Sequence, residues 1–173
     1  PHGHSAKATD LLPENVVPDV AADAFLAEFG ASIDKPALFV DVTGLPIMID
    51  APMGTDGSGR LKAGKLARGP YARLAARALK SPDEIWSDWN APPAGTRTHG
   101  DRLLQPGLVR RYVATFDIEG QRQTVIVVVE MGRDGWAGTT WFPPKIGKTE
   151  EVVKAYLDRK VRGGVLQFRR ADK

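Results

Sequence analysis

The stretch from Leu108 to Phe142 reads LVRRYVATFDIEGQRQTVIVVVEMGRDGWAGTTWF and contains three strand patterns in succession. Its first part, Leu108 to Ile118, alternates between two faces, and Thr124 to Met131 is a nearly continuous apolar run typical of a central strand. A turn at 133–135 then leads into the third strand, Trp136 to Phe142. Strands joined by such short turns pair antiparallel, so this stretch predicts the centre of an antiparallel sheet.

The alternation in the first strand divides its side chains into two sets. One set is apolar and includes a tyrosine: Leu108, Tyr112, Ala114, Phe116 and Ile118. The other set contains a cation among valines and a threonine: Val109, Arg111, Val113 and Thr115. Because successive side chains of a strand point to opposite faces, we predict that Arg111 points outward, away from the face that carries Tyr112.

The rest of the chain adds strands and helices around this centre. Three more strand patterns are present: Pro36 to Val42, Ile47 to Ile49 and Val165 to Arg170. Three helical patterns are present: Ala21 to Phe29, a helix that starts at Gly69-Pro70, and a helix capped by Thr149. Ser81-Pro82-Asp83-Glu84 has the form of a capping box and predicts a short helical turn through Trp86. Together the patterns predict an α+β fold, an antiparallel sheet with helices on one face.

The beginning of the chain is predicted to lie outside the main domain. Residues 1–5, PHGHS, are typical of a cloning remnant, residues 6–20 are typical of a linker, and a short helix follows. We therefore divide the chain into residues 1–35, with the remnant, the linker and the short helix, and residues 36–173, the main domain. Loops are predicted in the main domain at 54–59 and 90–107.

Charge is distributed unevenly along the chain. Residues 1–59 hold two basic and nine acidic residues, a net charge of −7, and residues 60–173 carry a net charge of +10. The segment from Arg60 to Lys80 alone holds seven basic residues and no acidic one. The basic residues 60–173, which we call the basic body, favour a polyanionic partner, and the alternative is a basic surface without a ligand. The acidic residues 8–59 either fold back and shield the basic body or form a solubilising linker.

Several chemistries have no support in the sequence. The chain contains no cysteine, which excludes disulfides, thiolate zinc sites and thiol nucleophiles. It contains no HExxH motif, P-loop or dinucleotide fingerprint. A Ser-His-Asp triad is disfavoured, because His99 lies in a predicted loop and the sequence has no nucleophile elbow. No apolar run approaches the roughly 20 residues that span a bilayer. We therefore expect a soluble protein without a metal, a cofactor or a membrane partner.

The basic body carries the residue types that metal-independent RNA cleavage requires. Cations and hydroxyl donors must hold the phosphate and stabilise its developing charge, and a base must take the proton of the 2′-hydroxyl. The candidates for the first role are Arg111, Thr139 or Thr140, and Arg162. Lys62 and Lys65 are the candidates for the base, because a lysine buried near other cations has a lowered pKa.

Further contacts to the substrate are predicted for aromatic and basic residues near these candidates. They are Arg110, Tyr112, Trp136, Thr139, Arg159 and Arg169. Each residue type also has a structural interpretation. Arginines solubilise strands, threonines suit extended backbone, tryptophans fill cores, and cations are favoured in the last turn of a helix.

Four ordered motifs resemble a known family. They are Leu79 to Trp86, Arg110-Arg111-Tyr112, Gly135 to Phe142, and Tyr156 to Leu166 with Arg159 and Arg162 inside it. In this order they resemble the phage-type branch of the barnase/EndoU/colicin/RelE-like (BECR) nucleases, over roughly residues 30–170. Domains of this branch are found at the C-termini of head-morphogenesis proteins related to the Mu F protein, and in polymorphic toxins.

The resemblance implies a fold, a site and partners. The implied fold is a set of N-terminal helices packed on a four-stranded antiparallel sheet, with a substrate groove on the open sheet face. The implied catalytic positions are Lys62, Lys65, Arg111, Thr140 and Arg162. The implied partners are RNA, a cognate immunity protein, and a larger phage head or toxin-delivery protein whose tail this domain would form.

We therefore expect a metal-independent ribonuclease toxin that cleaves RNA, with tRNA as the favoured substrate. The expected reaction is transesterification by the 2′-hydroxyl, which leaves a 2′,3′-cyclic phosphate. The expected location is the phage virion or a secreted-toxin cargo, with action in the cytoplasm of the target bacterium. The alternative is a non-catalytic module that binds nucleic acid or a phage partner. An ADP-ribosyltransferase is disfavoured, because no convincing Arg, Ser-Thr and Glu series is present.

Overall fold

The described part of the chain forms strands and short helices. The computed structural model describes residues 4–50, 65–90, 107–132 and 135–171. The strands are β1 (His4–Ala6), β2 (Ala37–Val40), β3 (Pro46–Ile49), β4 (Glu84–Asn90), β5 (Gly107–Ile118), β6 (Gln121–Gly132), β7 (Gly135–Phe142) and β8 (Val165–Arg169). The α-helices are α1 (Pro18–Ala27), α2 (Ala72–Lys80) and α3 (Glu150–Lys160), and two 3-10 helices cover Ala8–Asp10 and Lys65–Tyr71.

The strands form one mixed sheet of eight strands, in the order β2-β3-β7-β6-β5-β4-β8, with β1 paired to the end of β5. The pairings of β3 with β7 and of β1 with β5 are parallel, and the others are antiparallel. The expected four-stranded antiparallel sheet is therefore wrong. The sheet is larger because the β2–β3 hairpin extends it beyond β7, and β4 joins β5 to β8.

The helical turn predicted from the Ser-Pro-Asp-Glu motif is also wrong, since Glu84–Asn90 is strand β4. Ile85 packs in one core cluster and Trp86 in the other, on opposite faces of the sheet, and both edges of the segment pair with β5 and β8. The Ser81 hydroxyl, which the motif would use as the cap, accepts instead from Arg170 Nη2 at 2.6 Å. The Asp83 carboxylate accepts a hydrogen bond from the backbone N–H of Thr115, at 2.8 Å. Pairing with two strands outweighs a local capping preference, because helix propensity is a weak signal.

The two faces of the sheet carry different helices. On one, which we call the α2 face, α1 and α2 cover the main core, which includes Tyr112, Val127 and Trp141. On the other, the α3 face, Leu157 and Val161 at the C-terminal end of α3 pack with Trp86, Val113 and Ile126. The prediction of helices on one face only is therefore wrong. The expected capping of α3 is confirmed, because the Thr149 hydroxyl accepts from the backbone N–H of Val152, at 3.5 Å.

A bulge in β7 sets which of its side chains face the main core. Val129 pairs with Gly138 and Val128 pairs with Thr140, so one extra residue lies between these two pairs in β7. The extra residue shifts the alternation by one position. Trp136 and Trp141 consequently face the same way although they are an odd number of residues apart, and both belong to the main core.

The N-terminal residues pack on the rest of the domain. β1 pairs with the end of β5, and α1 packs against α2. Residues predicted as a remnant and a linker thus contribute a strand and a helical turn, while the boundary at residue 35 stays a prediction. In the described part of the chain, no helix is long and apolar enough to cross a membrane.

Candidate functional site

A single row of paired residues brings two of the predicted catalytic side chains to the same face. Arg111 of β5 lies opposite Val128 of β6, and Val128 lies opposite Thr140 of β7. Trp86 of β4 continues the row on the other side of Arg111. Directly opposite residues of a sheet point to the same face. Because Trp86 packs with Leu157 and Val161, the side chains of this row lie on the α3 face. Two strand spacings separate Arg111 from Thr140, about 10 Å between their backbones.

Arg68 reaches the Thr140 end of this row from outside the sheet. Its guanidinium Nη1 donates to the Thr140 hydroxyl at 3.1 Å, and its Cζ lies 5.2 Å from the centre of the Phe142 ring. Its backbone carbonyl, in contrast, accepts a hydrogen bond from the Trp141 indole at 3.1 Å. Trp141 belongs to the main core, so Arg68 crosses the edge of β7 and carries a cation onto the α3 face.

The guanidinium of Arg68 has no carboxylate partner among the described residues. Thr140 and the Phe142 ring are neutral, and the side chain is half-buried. Burial lowers the pKa of Arg68, an effect that the nearby Tyr156 phenol opposes, but a guanidinium stays protonated in proteins. A half-buried cation without a counter-charge favours an anionic ligand, because desolvation of an unpaired charge is costly.

Arg111 is only weakly held by its own neighbours. Its single ion-pair partner in the described residues is Asp88 of β4, and Nη1 lies 3.5 Å from Asp88 Oδ2, at the limit of a hydrogen bond. The Asp88 side chain is 43% exposed, which weakens the attraction further. Arg111 can therefore turn toward a phosphate without breaking a buried ion pair.

Arg162, the third predicted catalytic side chain, is occupied by carboxylates in this structure. It donates to both oxygens of Glu84, at 3.0 and 3.1 Å, and to Asp158 at 2.8 Å. Burial acts to lower the pKa of Arg162, but the hydrogen bonds to Glu84 and Asp158 raise it. Glu84 also accepts from the Trp86 indole at 2.7 Å, so this cluster fixes Trp86 next to Arg111. The catalytic role of Arg162 stays a prediction.

Three predicted substrate contacts lie instead on the α2 face, in a buried polar network. Arg110 Nη1 lies 2.9 Å from Asp41 Oδ2, and the Tyr112 hydroxyl donates to the same oxygen at 2.5 Å. The Arg110 guanidinium lies 5.8 Å from the centre of the Trp136 ring. Asp41 also accepts from the backbone N–H groups of Thr43 and Leu45. This network ties the β2–β3 turn to β5.

The hydrogen bonds of this network shift the pKa values of its members in opposite directions. Burial acts to raise the pKa of Asp41, but the hydrogen bonds from Tyr112, Thr43 and Leu45 lower it. Burial raises the pKa of Tyr112 well above its ordinary value of 10.0, and the hydrogen bond to Asp41 adds to the rise. At neutral pH the network thus holds an ionised Asp41 and a neutral Tyr112.

The raised pKa of Tyr112 predicts a loss of stability in alkali. The folded protein keeps the phenol protonated above pH 10, where the unfolded chain ionises it, so the contribution is complete below pH 10 and declines above it. We expect Tyr112→Phe to flatten this decline by up to about 1.4 kcal/mol per pH unit. Urea unfolding of both proteins between pH 8 and pH 11.5 measures it. Parallel declines in the two proteins would contradict the assignment.

The remaining predicted residues are dispersed or lie outside the described residues. Lys62 falls outside the described residues. Lys65 is the first residue of a 3-10 helix, and the Lys65 side chain is not described. The Thr139 side chain is not described either. Arg159 is exposed on α3, and Arg169 of β8 lies 5.9 Å from the Trp86 ring centre and 3.7 Å from Glu84. The roles of these residues stay predictions.

Arg68 is the functional candidate that sequence reasoning missed. The segment from Arg60 to Lys80 holds seven basic residues, and the sequence analysis predicts a catalytic role only for Lys62 and Lys65 among them. No local spacing connects Arg68 with Thr140, which lies 72 residues further along the chain. The available signal was the absence of any acidic residue in the segment that could neutralise its cations.

The fold and the row describe an α+β domain that carries two arginines and a threonine on the α3 face of its sheet. Residues 24–169 match the phage-Barnase-EndoU-ColicinE5/D-RelE like nuclease2 family, and the chain belongs to this family. The resemblance seen in the sequence is thereby confirmed, and membership implies endonuclease activity. No curated protein and no solved structure matches the chain.

Proposed function

We propose that the chain is a metal-independent endoribonuclease whose active site is the row from Arg111 to Thr140, completed by Arg68. The observation that carries the proposal is that two arginines serve one sheet face, Arg68 on the Thr140 hydroxyl and Arg111 two strands away, and that neither has a buried carboxylate partner in the described residues. Membership of a nuclease family makes a phosphodiester the anion that fits this site. The favoured substrate is tRNA.

The proposed reaction needs no group beyond the RNA and the side chains. The 2′-oxygen attacks the phosphorus, the bond from phosphorus to the 5′-oxygen breaks, and a 2′,3′-cyclic phosphate remains. A base takes the proton of the 2′-hydroxyl, and an acid returns a proton to the departing 5′-oxygen. Lys62 and Lys65 are our candidates for the base, since they precede Arg68 in the same basic segment.

Arg111, Arg68 and Thr140 have complementary roles in this proposal. The two guanidinium groups stabilise the charge that grows on the non-bridging oxygens, as preorganised donors do at a developing oxyanion. The Thr140 oxygen accepts from Arg68, which leaves its own hydrogen free to donate to the phosphate. Arg162 supports the site through Glu84 and Trp86 in this arrangement.

The biological setting belongs to the same proposal. We infer that the domain is the tail of a larger phage head protein or of a secreted toxin, and that it acts in the cytoplasm of the target bacterium. An immunity protein in the producing cell would cover the cations of the site. Support comes from the phage-type nuclease family and from the net charge of +10 on residues 60–173.

A charge-removing pair of variants tests the part assigned to Arg68. We expect Arg68→Ala to lower kcat/KM for RNA cleavage about 10- to 100-fold, the effect of losing one hydrogen bond to a charged group. Arg73→Ala is the matched control, because Arg73 carries the same charge on α2 and, within the described part of the chain, donates to the Thr9 carbonyl and to no carboxylate. A folded Arg68→Ala protein that cleaves at the wild-type rate would remove Arg68 from the site. RNA binding without cleavage by the wild-type protein would favour the binding module instead.

A further inference from the structure

We propose that the N-terminal segment, residues 11–27, is a positioning element of the active site that fixes Arg68. The inference rests on the proposed function, since it concerns the same site. It reverses the expectation that this part of the chain is a linker or a shield. The contacts that carry it lie on the α2 face, opposite to the guanidinium they position.

The first contact runs through Trp141. Its indole donates to the Arg68 carbonyl at 3.1 Å, and its ring stacks on Phe25 of α1, with centroids 4.9 Å apart and planes at 8°. Phe25 is fully buried in the main core. Because stacked aromatic rings in a core are closely packed on all sides, the position of α1 sets the position of Trp141 and with it the Arg68 backbone.

Two further contacts hold the residues that follow Arg68. The backbone N–H of Leu12 donates to the Pro70 carbonyl at 2.9 Å. A Cβ atom on Gly69 would lie 2.8 Å from Cγ1 of Val16, so the chain at Gly69 passes directly against Val16 and leaves no room for a side chain. Residues 12 and 16 of the segment therefore contact residues 69 and 70 directly, and residue 25 holds the Arg68 carbonyl through Trp141. We call residues 68–70 the Arg68 turn.

The two acidic residues that flank the segment, Asp10 and Glu28, contact α2. Asp10 pairs with Arg77 at 3.4 Å, and Glu28 accepts from Lys80 through its backbone carbonyl. Both cations belong to α2, on the other face of the sheet from Arg111. These contacts attach both ends of the segment to α2, on the face of the sheet opposite to the row.

Gly69→Ala tests the inference, because its Cβ must displace either Val16 or the Arg68 turn. We expect a fall in kcat on the order of tenfold or more, since misplacing a positioned group by about 1 Å costs up to roughly 100-fold. The double variant Gly69→Ala/Val16→Ala makes room for the new methyl group and should restore most of the activity. Val40→Ala, at an exposed valine of β2 outside the segment, is the matched control and should act like the wild type.

The NMR signal of the Arg68 Nε–H group gives a readout that does not depend on cleavage. It should move in Gly69→Ala and return in the double variant, with Arg68→Lys used to assign it. In the Arg68→Ala background, Gly69→Ala should cause no further loss of activity. An unmoved signal in Gly69→Ala would overturn the inference, even if the wild-type protein cleaves RNA. A wild-type protein that cleaves no RNA, with the signal moving as expected, would overturn only the proposed function.

Discussion

Arg111→Ala is expected to lower the rate of RNA cleavage about 100- to 1,000-fold, the cost of removing one preorganised donor from an oxyanion site. Arg111 points to the α3 face in register with Thr140, and its own ion pair with Asp88 is long and partly exposed. Its guanidinium can therefore serve the transition state without giving up a stabilising contact. For the same reason, we expect the free energy of unfolding to change by less than about 1 kcal/mol.

The measurement is single-turnover cleavage of RNA by purified variants of equal fold. Arg122→Ala is the matched control, since Arg122 lies in the same sheet, on β6, and its ion-pair partner among the described residues is the exposed Glu150, at 3.3 Å. It removes an equal charge at the far end of β6 and should leave the rate unchanged. An unaltered rate in Arg111→Ala would remove Arg111 from the site and with it the proposed row.

Arg110→Ala should destabilise the fold by about 3–5 kcal/mol, because it leaves a buried carboxylate without its cation. The Asp41 side chain has no exposed surface, and Arg110 is its only ion-pair partner in the described residues. The Tyr112 hydroxyl and the backbone N–H groups of Thr43 and Leu45 still hydrogen-bond the carboxylate, but they do not neutralise it. Arg110 thus acts on stability, although it is the neighbour of Arg111 in sequence.

Denaturant unfolding at pH 7 measures this loss. The double variant Asp41→Asn/Arg110→Met removes both charges and should lose less than Arg110→Ala alone, because no unpaired ion stays buried. A loss below about 1 kcal/mol in Arg110→Ala would show that solvent compensates Asp41, against the burial seen in the structure. Of the two adjacent arginines, Arg111 is thus expected to affect the rate of cleavage, and Arg110 the free energy of unfolding.

The sequence predicted those features that depend on regular alternation. The period of two in Leu108 to Ile118 put Arg111 and Tyr112 on opposite faces, and the two cores of the structure confirm this. Arg110 and Tyr112 are nevertheless predicted from the sequence as substrate contacts near Arg111, and the structure places both on the other face of the sheet. Side-chain alternation identifies faces, but it does not say which face a ligand uses.

Features that depend on tertiary contacts were not predictable from local patterns. β4 was mistaken for a helical turn, because its Ser-Pro-Asp-Glu start satisfies a local rule and its partners β5 and β8 are distant in sequence. The bulge next to Thr140 is a single extra residue that no turn signal marks. Arg68 reaches Thr140 around the edge of β7, a contact between residues 72 positions apart that no local pattern marks.

The most direct test of the central claim is to incubate the wild-type protein and Arg111→Ala with total tRNA in excess EDTA, and to determine the chemistry of the fragment ends. We predict discrete fragments that end in a 2′,3′-cyclic phosphate with the wild-type protein, and intact tRNA with the variant over the same time. Cleavage that stops in EDTA and returns with added metal, or fragments with other ends, would contradict a metal-independent transesterification at this site.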